Sequence, residues 1–401
     1  MKTFRCMYVV AAVAAICLCE RAASAQSYYQ GAPGNVEFGM GSGVYPAGAM
    51  MPTGPAAPTP PALPPMVAAQ QAVPGAGPMV PAASQPCGNA ETCVSGCCHG
   101  GDPAWHVFGD FLYLRPRNET VEYAVPTTTV QNPPLQTGIT AVMDPQFSAG
   151  IRVGVERALN DCSSVSMAYT YYRDENNDGP VTVPAGSVVQ SMVFNPNSPD
   201  AGTAWTTAAA HEVTSFQYVD LDFNHNLWGC DCSCVNYFVG MRYAKLEQEF
   251  DSTFADTITA NMLTHVNFDG LGLRFGVDGE RALTGGFYTT AKLAANLIGG
   301  EFRADYLQTD NNAAAAPVAN TTNWRSASFV TILEAEASVG WQSPNGRFRA
   351  ALGYLVTDWC NAVKTSDYIN SIQTNSYHGG NQMGTSALVF DGLTARAEFT
   401  W

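Results

Sequence analysis

Residues 386–401 restrict the fold more than any other stretch, because they alternate in a way that only an extended strand turns into two faces. Leu393, Ala395, Ala397, Phe399 and Trp401 fall on one side, and Thr394, Arg396, Glu398 and Thr400 on the other. The apolar side carries the small and aromatic residues suited to lipid and its interface, and the segment stops on Trp401 without a polar tail. In a transmembrane β-barrel the last strand must close on the first, since an open edge in hydrocarbon leaves peptide groups unsatisfied. Phe399 and Trp401 are therefore expected to belong to a barrel-closing strand. A soluble sandwich can end the same way, so the remaining periodicity has to decide.

The same alternation recurs through the chain. Residues 147–155 set Phe147, Ala149, Ile151, Val153 and Val155 against Ser148, Gly150, Arg152 and Gly154, and residues 164–171 continue it after a short link. Further alternating runs fall at 105–114, 213–227, 235–243, 271–277, 287–297, 329–341 and 348–356, which with the terminal strand makes ten. Links near 158–163, 229–234, 278–286 and 342–347 are short. Those near 115–146, 174–211, 251–263, 308–324 and 360–385 are long and polar. Short turns at one end and long loops at the other is the build of bacterial barrels, with the turns in the periplasm. The expected fold is all-β: a closed antiparallel transmembrane barrel of ten strands, or twelve if the first or second long loop hides a hairpin. Both mature termini are then periplasmic.

Export is expected from the N-terminus. Lys2 and Arg5 precede an apolar run over residues 7–18 and an Ala23-Ser24-Ala25 cleavage site, so residues 1–25 read as a signal peptide. Residues 26–86 are Pro, Ala, Gly and Gln with hardly a charge, which reads as a disordered linker able to reach the cell wall or other envelope proteins. Residues 87–104 form a Cys-rich periplasmic segment, and 105–401 the barrel. The remaining partners expected are outer-membrane lipid and the barrel-assembly machinery. Without residues 1–25 the chain has 16 basic and 33 acidic residues and hence a formal charge of −17. Such a chain repels phosphate backbones, so nucleic acid is not an expected partner. Only 13% of residues are charged, few for a soluble protein of this length.

The charges that interrupt the strands fall at alternate positions, opposite an apolar neighbour. Arg152, Asp220, Asp222, Arg242, Arg274, Lys292, Glu334, Glu336, Arg349, Arg396 and Glu398 are the candidate lumen-lining residues on this count.

The segment Phe108-Gly109-Asp110-Phe111-Leu112-Tyr113-Leu114-Arg115-Pro116 resembles the opening strand of the Legionella major outer membrane protein family, whose members carry an aromatic-rich F-x-D-F-L-Y strand and end on an aromatic residue, as Trp401 does. The resemblance covers residues 105–401 and implies a pore-forming or structural barrel of the outer membrane, with no catalytic residues to transfer. The Pro-rich segment and the cysteine patch depart from it.

Cys87, Cys93, Cys97, Cys98, Cys162, Cys230, Cys232 and Cys234 all fall before the barrel or on its short-turn side, and Cys360 at the loop end. An oxidising periplasm favours disulfides between the 87–98 patch and the turns at Cys162 and at 230–234. A metal site built from Cys97, Cys98, His99 and the 230–234 turn is the sharper alternative. Asp174, Asn176 and Asp178 open a calcium-loop pattern, but position twelve is Ala185 where a bidentate Glu is needed. The six histidines show no spacing with a nucleophile, so neither an enzyme nor a cofactor is expected. Ten to twelve strands imply a narrow or partly plugged lumen. The expected function is a porin-like channel for small hydrophilic solutes or ions, selective through its lumen charges. The alternative is a structural envelope protein cross-linked by disulfides.

Overall fold

Ten long strands hydrogen-bond edge to edge until the last meets the first. The computed structural model describes residues 105–128, 134–198, 202–230, 232–310, 318–375 and 384–401. The strands of the ring are β1 (Trp105–Arg117), β4 (Ser148–Asn160), β5 (Ser163–Asp178), β7 (Thr207–Cys230), β8 (Ser233–Ala255), β9 (Thr259–Ala282), β10 (Phe287–Asp310), β11 (Val318–Gln342), β12 (Phe348–Ala362) and β13 (Ser386–Thr400). Each pairs antiparallel with the next, and β1 lies between β4 and β13. The closure is fastened by Trp401 N donating to the Trp105 carbonyl at 3.1 Å and Trp105 N to the Trp401 carbonyl at 3.2 Å. The expected segments 1–25, 26–86 and 87–104 lie outside the described residues.

The first two long loops do hold extra strands, but these do not enlarge the ring to twelve. β2 (Val121–Thr128), β3 (Ala141–Met143) and β6 (Ser187–Ser191) form a separate sheet in the order β3-β2-β6. The last loop holds a helix, α1 (Thr365–Asn375). Together these three strands and α1 form an insert at the loop end, packed into one apolar core with the upper interior of the ring through Tyr123, Val189, Phe194, Tyr368 and Ile372.

Two expected long loops are largely wall. Only residues 256–258 separate β8 from β9, and β10 and β11 run on to Asp310 and from Val318. The reason is an inversion of the apolar phase along each strand. In the lower half of β9 the odd-numbered Leu271, Leu273 and Phe275 face outward, 59, 61 and 53% exposed, while Gly272, Arg274 and Gly276 face inward. In the upper half the even-numbered Phe268, Val266 and Met262 face inward and are fully buried, while Asp269, Asn267 and His265 face outward. β8 changes in the same way between Tyr243 and Leu246. A pattern that keeps its period but swaps its apolar side reads, from one end, as a strand that has stopped.

The outward apolar band marks where lipid would lie. On β12 it covers residues 348–356, which at about 3.4 Å per residue and a tilt of about 40° rise roughly 21 Å, close to the height of a barrel's apolar belt. Trp105, Phe287, Trp341, Phe348, Phe399 and Trp401 rim its short-turn edge, and Tyr113, Phe147, Tyr243, Phe329 and Tyr354 its loop edge, all exposed. Inward glycines make room for large neighbours: a side chain at Gly154 would meet the Phe108 ring, and one at Gly276 the Phe238 ring.

Candidate functional site

All eleven candidate lumen charges project from inward-facing positions of the ring, and a layer of ion pairs connects most of them. Arg242 on β8 reaches Asp220 (Nε–Oδ1, 2.5 Å) and Glu334 (Nη1–Oε1, 2.8 Å). Arg274 on β9 holds the other Glu334 oxygen at 2.6 Å, Asp222 at 3.0 Å and the amide oxygen of Asn296 at 3.0 Å. Glu334 stands on β11, so these contacts cross the interior. Arg152 on β4 does the same from the far side, bonding Glu336 of β11 at 2.8 Å and Asp110 at 2.5 Å. Toward the short-turn end Arg396 pairs with Glu398 at 2.7 Å, and Arg349 pairs with Glu280 and with Glu398 at 3.4 Å.

Aromatic rings underlie the cations. Arg242 lies 4.0 Å from the Tyr218 centroid, Arg396 4.1 Å from Phe108 and Arg349 4.0 Å from Tyr288, a stacking that suits planar guanidinium. Lys292 differs from the arginines: its Nζ sits 4.9 Å from the Phe238 ring, and it is flanked across the strands by Asp278 and Glu336. Arg242 is only 2% exposed, so the middle of the ring is filled rather than open.

Above the charges comes an aromatic layer. Phe216 meets Phe390 at 4.7 Å between centroids, Tyr218 meets Trp359 at 5.7 Å and Phe268 meets Phe302 at 4.6 Å. The insert closes the mouth over it. Tyr306 OH donates to the Val193 carbonyl at 3.1 Å, and Gln308 Nε2 to Ser198 Oγ at 2.9 Å. Gln248 clamps the residues leading into α1, donating to the Val363 carbonyl at 3.0 Å and accepting from Thr365 N at 3.1 Å.

The remaining candidates separate by position. Cys162, Cys230, Cys232 and Cys234 gather at the short-turn end, with Trp401, while Cys360 lies at the far end of β12. Cys87, Cys93, Cys97 and Cys98 lie outside the described residues. The calcium-loop reading is corrected: Asp174, Asn176 and Asp178 lie within β5, an extended strand. Asp174 accepts from Ser148 and Asn176, both at 2.5 Å, and Asp178 from Tyr123 at 2.9 Å. Among the described residues no group of acidic, Cys and His side chains is arranged to hold a metal ion. The sequence reading missed Asp110, Glu280 and Asn296 as members of the charged layer. Asp110 carries the signal that found the others, a charge at an inward-phase position of a strand, whereas Glu280 falls in the expected 278–286 turn and joins the wall because β9 runs on to Ala282.

A ten-stranded antiparallel ring with an apolar, aromatic-rimmed outer band and a charged interior is a β-barrel of the bacterial outer membrane. The family model of the Legionella pneumophila major outer membrane protein precursor matches residues 100–400, and the chain belongs to that family. No curated protein matches the chain. Among solved structures it is similar to a major outer membrane protein from Thermus thermophilus, at 12% identity over 75% of this chain and 100% of that one, with a TM-score of 0.29. It is also similar to the Pseudomonas putida toluene transporter TodX, at 5% identity over 75% and 90% of the two chains, with a TM-score of 0.27. A Pseudomonas aeruginosa FadL homologue gives 8% identity over 75% and 90%, with a TM-score of 0.20. Likenesses this distant carry no argument about what passes through the ring.

Proposed function

We propose that this protein is a narrow porin-like channel for small hydrophilic solutes or ions, seen here with its mouth closed by the insert. The layer in which Glu334 joins Arg242 and Arg274 across the lumen supports this reading. Buried ion pairs are weak sources of stability, and a core meant only to be solid is at least as stable when apolar. A charged interior suits a passage that becomes wet when the insert moves, with Lys292, Arg396 and the two bridging glutamates setting selectivity. The chain is read as exported by its signal peptide, with both mature termini in the periplasm and the Pro-rich segment reaching toward the cell wall. No catalytic role is proposed.

Single-channel recording in planar bilayers tests the proposal, using full-length mature protein shown to be folded and inserted. Reproducible steps whose size and cation preference change in E334Q and E336Q support it; silent membranes overturn it. Silence would favour the structural reading, which has its own support in the filled lumen and the gathering of Cys162, Cys230, Cys232 and Cys234 at one end. Under that reading non-reducing gels of isolated envelopes show disulfide-linked multimers that collapse with thiol.

A further inference from the structure

At the barrel mouth two inward carboxyls depart from the pairing found in the charged layer below. β1 ends at Arg117, and the chain leaves the wall at Asn118, whose φ of 60° is a left-handed conformation that Asn tolerates better than most residues. Lys364, just before α1, donates to the Asn118 carbonyl at 2.5 Å, so the two parts of the insert are pinned together where β1 lets go. Beside that point Glu119 and Glu212 are 1 and 2% exposed. Glu119 Oε2 accepts from Thr214 Oγ1 at 3.2 Å, but Glu119 Oε1 and both oxygens of Glu212 are buried without a hydrogen-bond partner. Thr214 and Glu212 share the inward face of β7 and stand one pleat repeat apart, about 7 Å, which brings the two carboxyls into one pocket.

The charged and titratable groups around the pocket have other partners. Asp174 on β5 is held by Ser148 and Asn176, and Tyr172 OH donates to the Leu114 carbonyl at 3.0 Å. Asp144, between β3 and β4, pairs with Arg115 at 2.8 Å. Asp367 on α1 accepts from Ser386 Oγ at 2.6 Å, and Lys364 is engaged at Asn118. Glu119, Asp174 and Asp144 all lie close enough to repel a charge on Glu212. Two buried carboxylates with a single donor between them, Thr214, cannot both stay ionised; one must take up a proton.

We propose that Glu119 and Glu212 form a proton-binding site that latches the insert in the barrel mouth, holding a proton when the insert is seated and loosening it when both ionise. Burial pushes the Glu119 carboxyl up to about 7 from its ordinary 4.5; Asp174 and Asp367 add to the rise, while Thr214 and Lys364 oppose it. The seated state holds a proton that the released state gives up. Seating is therefore strongest below pH 4.5 and is lost as pH rises through about 7.

Amide hydrogen exchange of the full-length protein in lipid nanodiscs, corrected for intrinsic exchange and run from pH 5 to 8.5, reads the latch without any need for conduction. Protection of residues 121–128, 141–143 and 365–375 should fall with rising pH, by up to about tenfold per pH unit for one proton, while β13 stays constant. E119Q and E212Q should each flatten that profile, and T214V, which removes the donor to Glu119, should move its midpoint to higher pH. Flat protection in the native protein, or an unmoved profile in all three variants, overturns the proposal. So does recovery of protection at pH 8 by calcium alone, which would make the pocket a cation site.

Discussion

The lower and upper halves of the ring are built from the same strands with opposite polarity. Below, β9 turns Leu271, Leu273 and Phe275 outward and keeps Arg274 inside; above, it turns Asp269 outward and buries Phe268 and Val266. Hydrogen bonding between neighbours runs on through the change, since the β8–β9 and β9–β10 registers are continuous. The backbone is thus indifferent to the switch. What changes is the medium outside: a lipid-facing wall must be apolar and can carry charge only within, whereas a water-facing wall reverses both.

The largest effects should come from breaking each interior by its own rule. Arg242→Met leaves Asp220 and Glu334 with only Arg274, 3.8 and 2.6 Å away, to offset two buried charges and should cost about 3 kcal/mol. The loss would be read from denaturant unfolding in lipid vesicles, and an unchanged midpoint would mean that the charged layer does not depend on Arg242. In the upper half Phe268→Ala should cost about 3–5 kcal/mol through the cavity it opens. Phe275→Ala, on the outward face of the lower half of the same strand, should cost far less, because lipid can fill the space. Equal losses at the two positions would sink the two-media account.

Next in size is a charge placed on the outer face. Leu273→Arg should cost about 2–4 kcal/mol if that residue meets lipid near the midplane. Glu249→Arg, exposed on the upper outer face of β8, should stay within about 0.5 kcal/mol. A comparable cost at both would move the membrane boundary upward. The smallest effect tests the insert. Tyr306→Phe removes the hydroxyl that bonds the Val193 carbonyl, for about 1 kcal/mol, and should raise hydrogen exchange in β6 while leaving β13 unchanged.

How much of this was legible depended on the range of each signal. All ten wall strands, the four short turns and the inward phase of every candidate charge follow from alternation, a property of residues two apart. The true lengths of β7 to β11 did not follow, because the apolar phase inverts partway and a local reading takes inversion for an end. A hairpin hidden in the first or second long loop entered only as a route to twelve wall strands, and the separate sheet did not follow, since joining the wall or filling the mouth depends on which edges remain free once the ring has closed.

The sequence by itself determined the class of the fold: a period of two, kept for ten strands and punctuated at alternating long and short intervals, leaves an antiparallel ring as the way to satisfy every backbone group in lipid. It also determined which residues face the interior, because register and pleat leave no choice once one strand is placed. Only the tertiary structure decided what those residues do there. Glu334 and Arg242 are 92 positions apart, and Glu336 and Arg152 are 184 apart; they meet because closure brings opposite walls within one side chain's reach. Pairing across a lumen is a property of the ring's diameter, and no stretch of chain contains it.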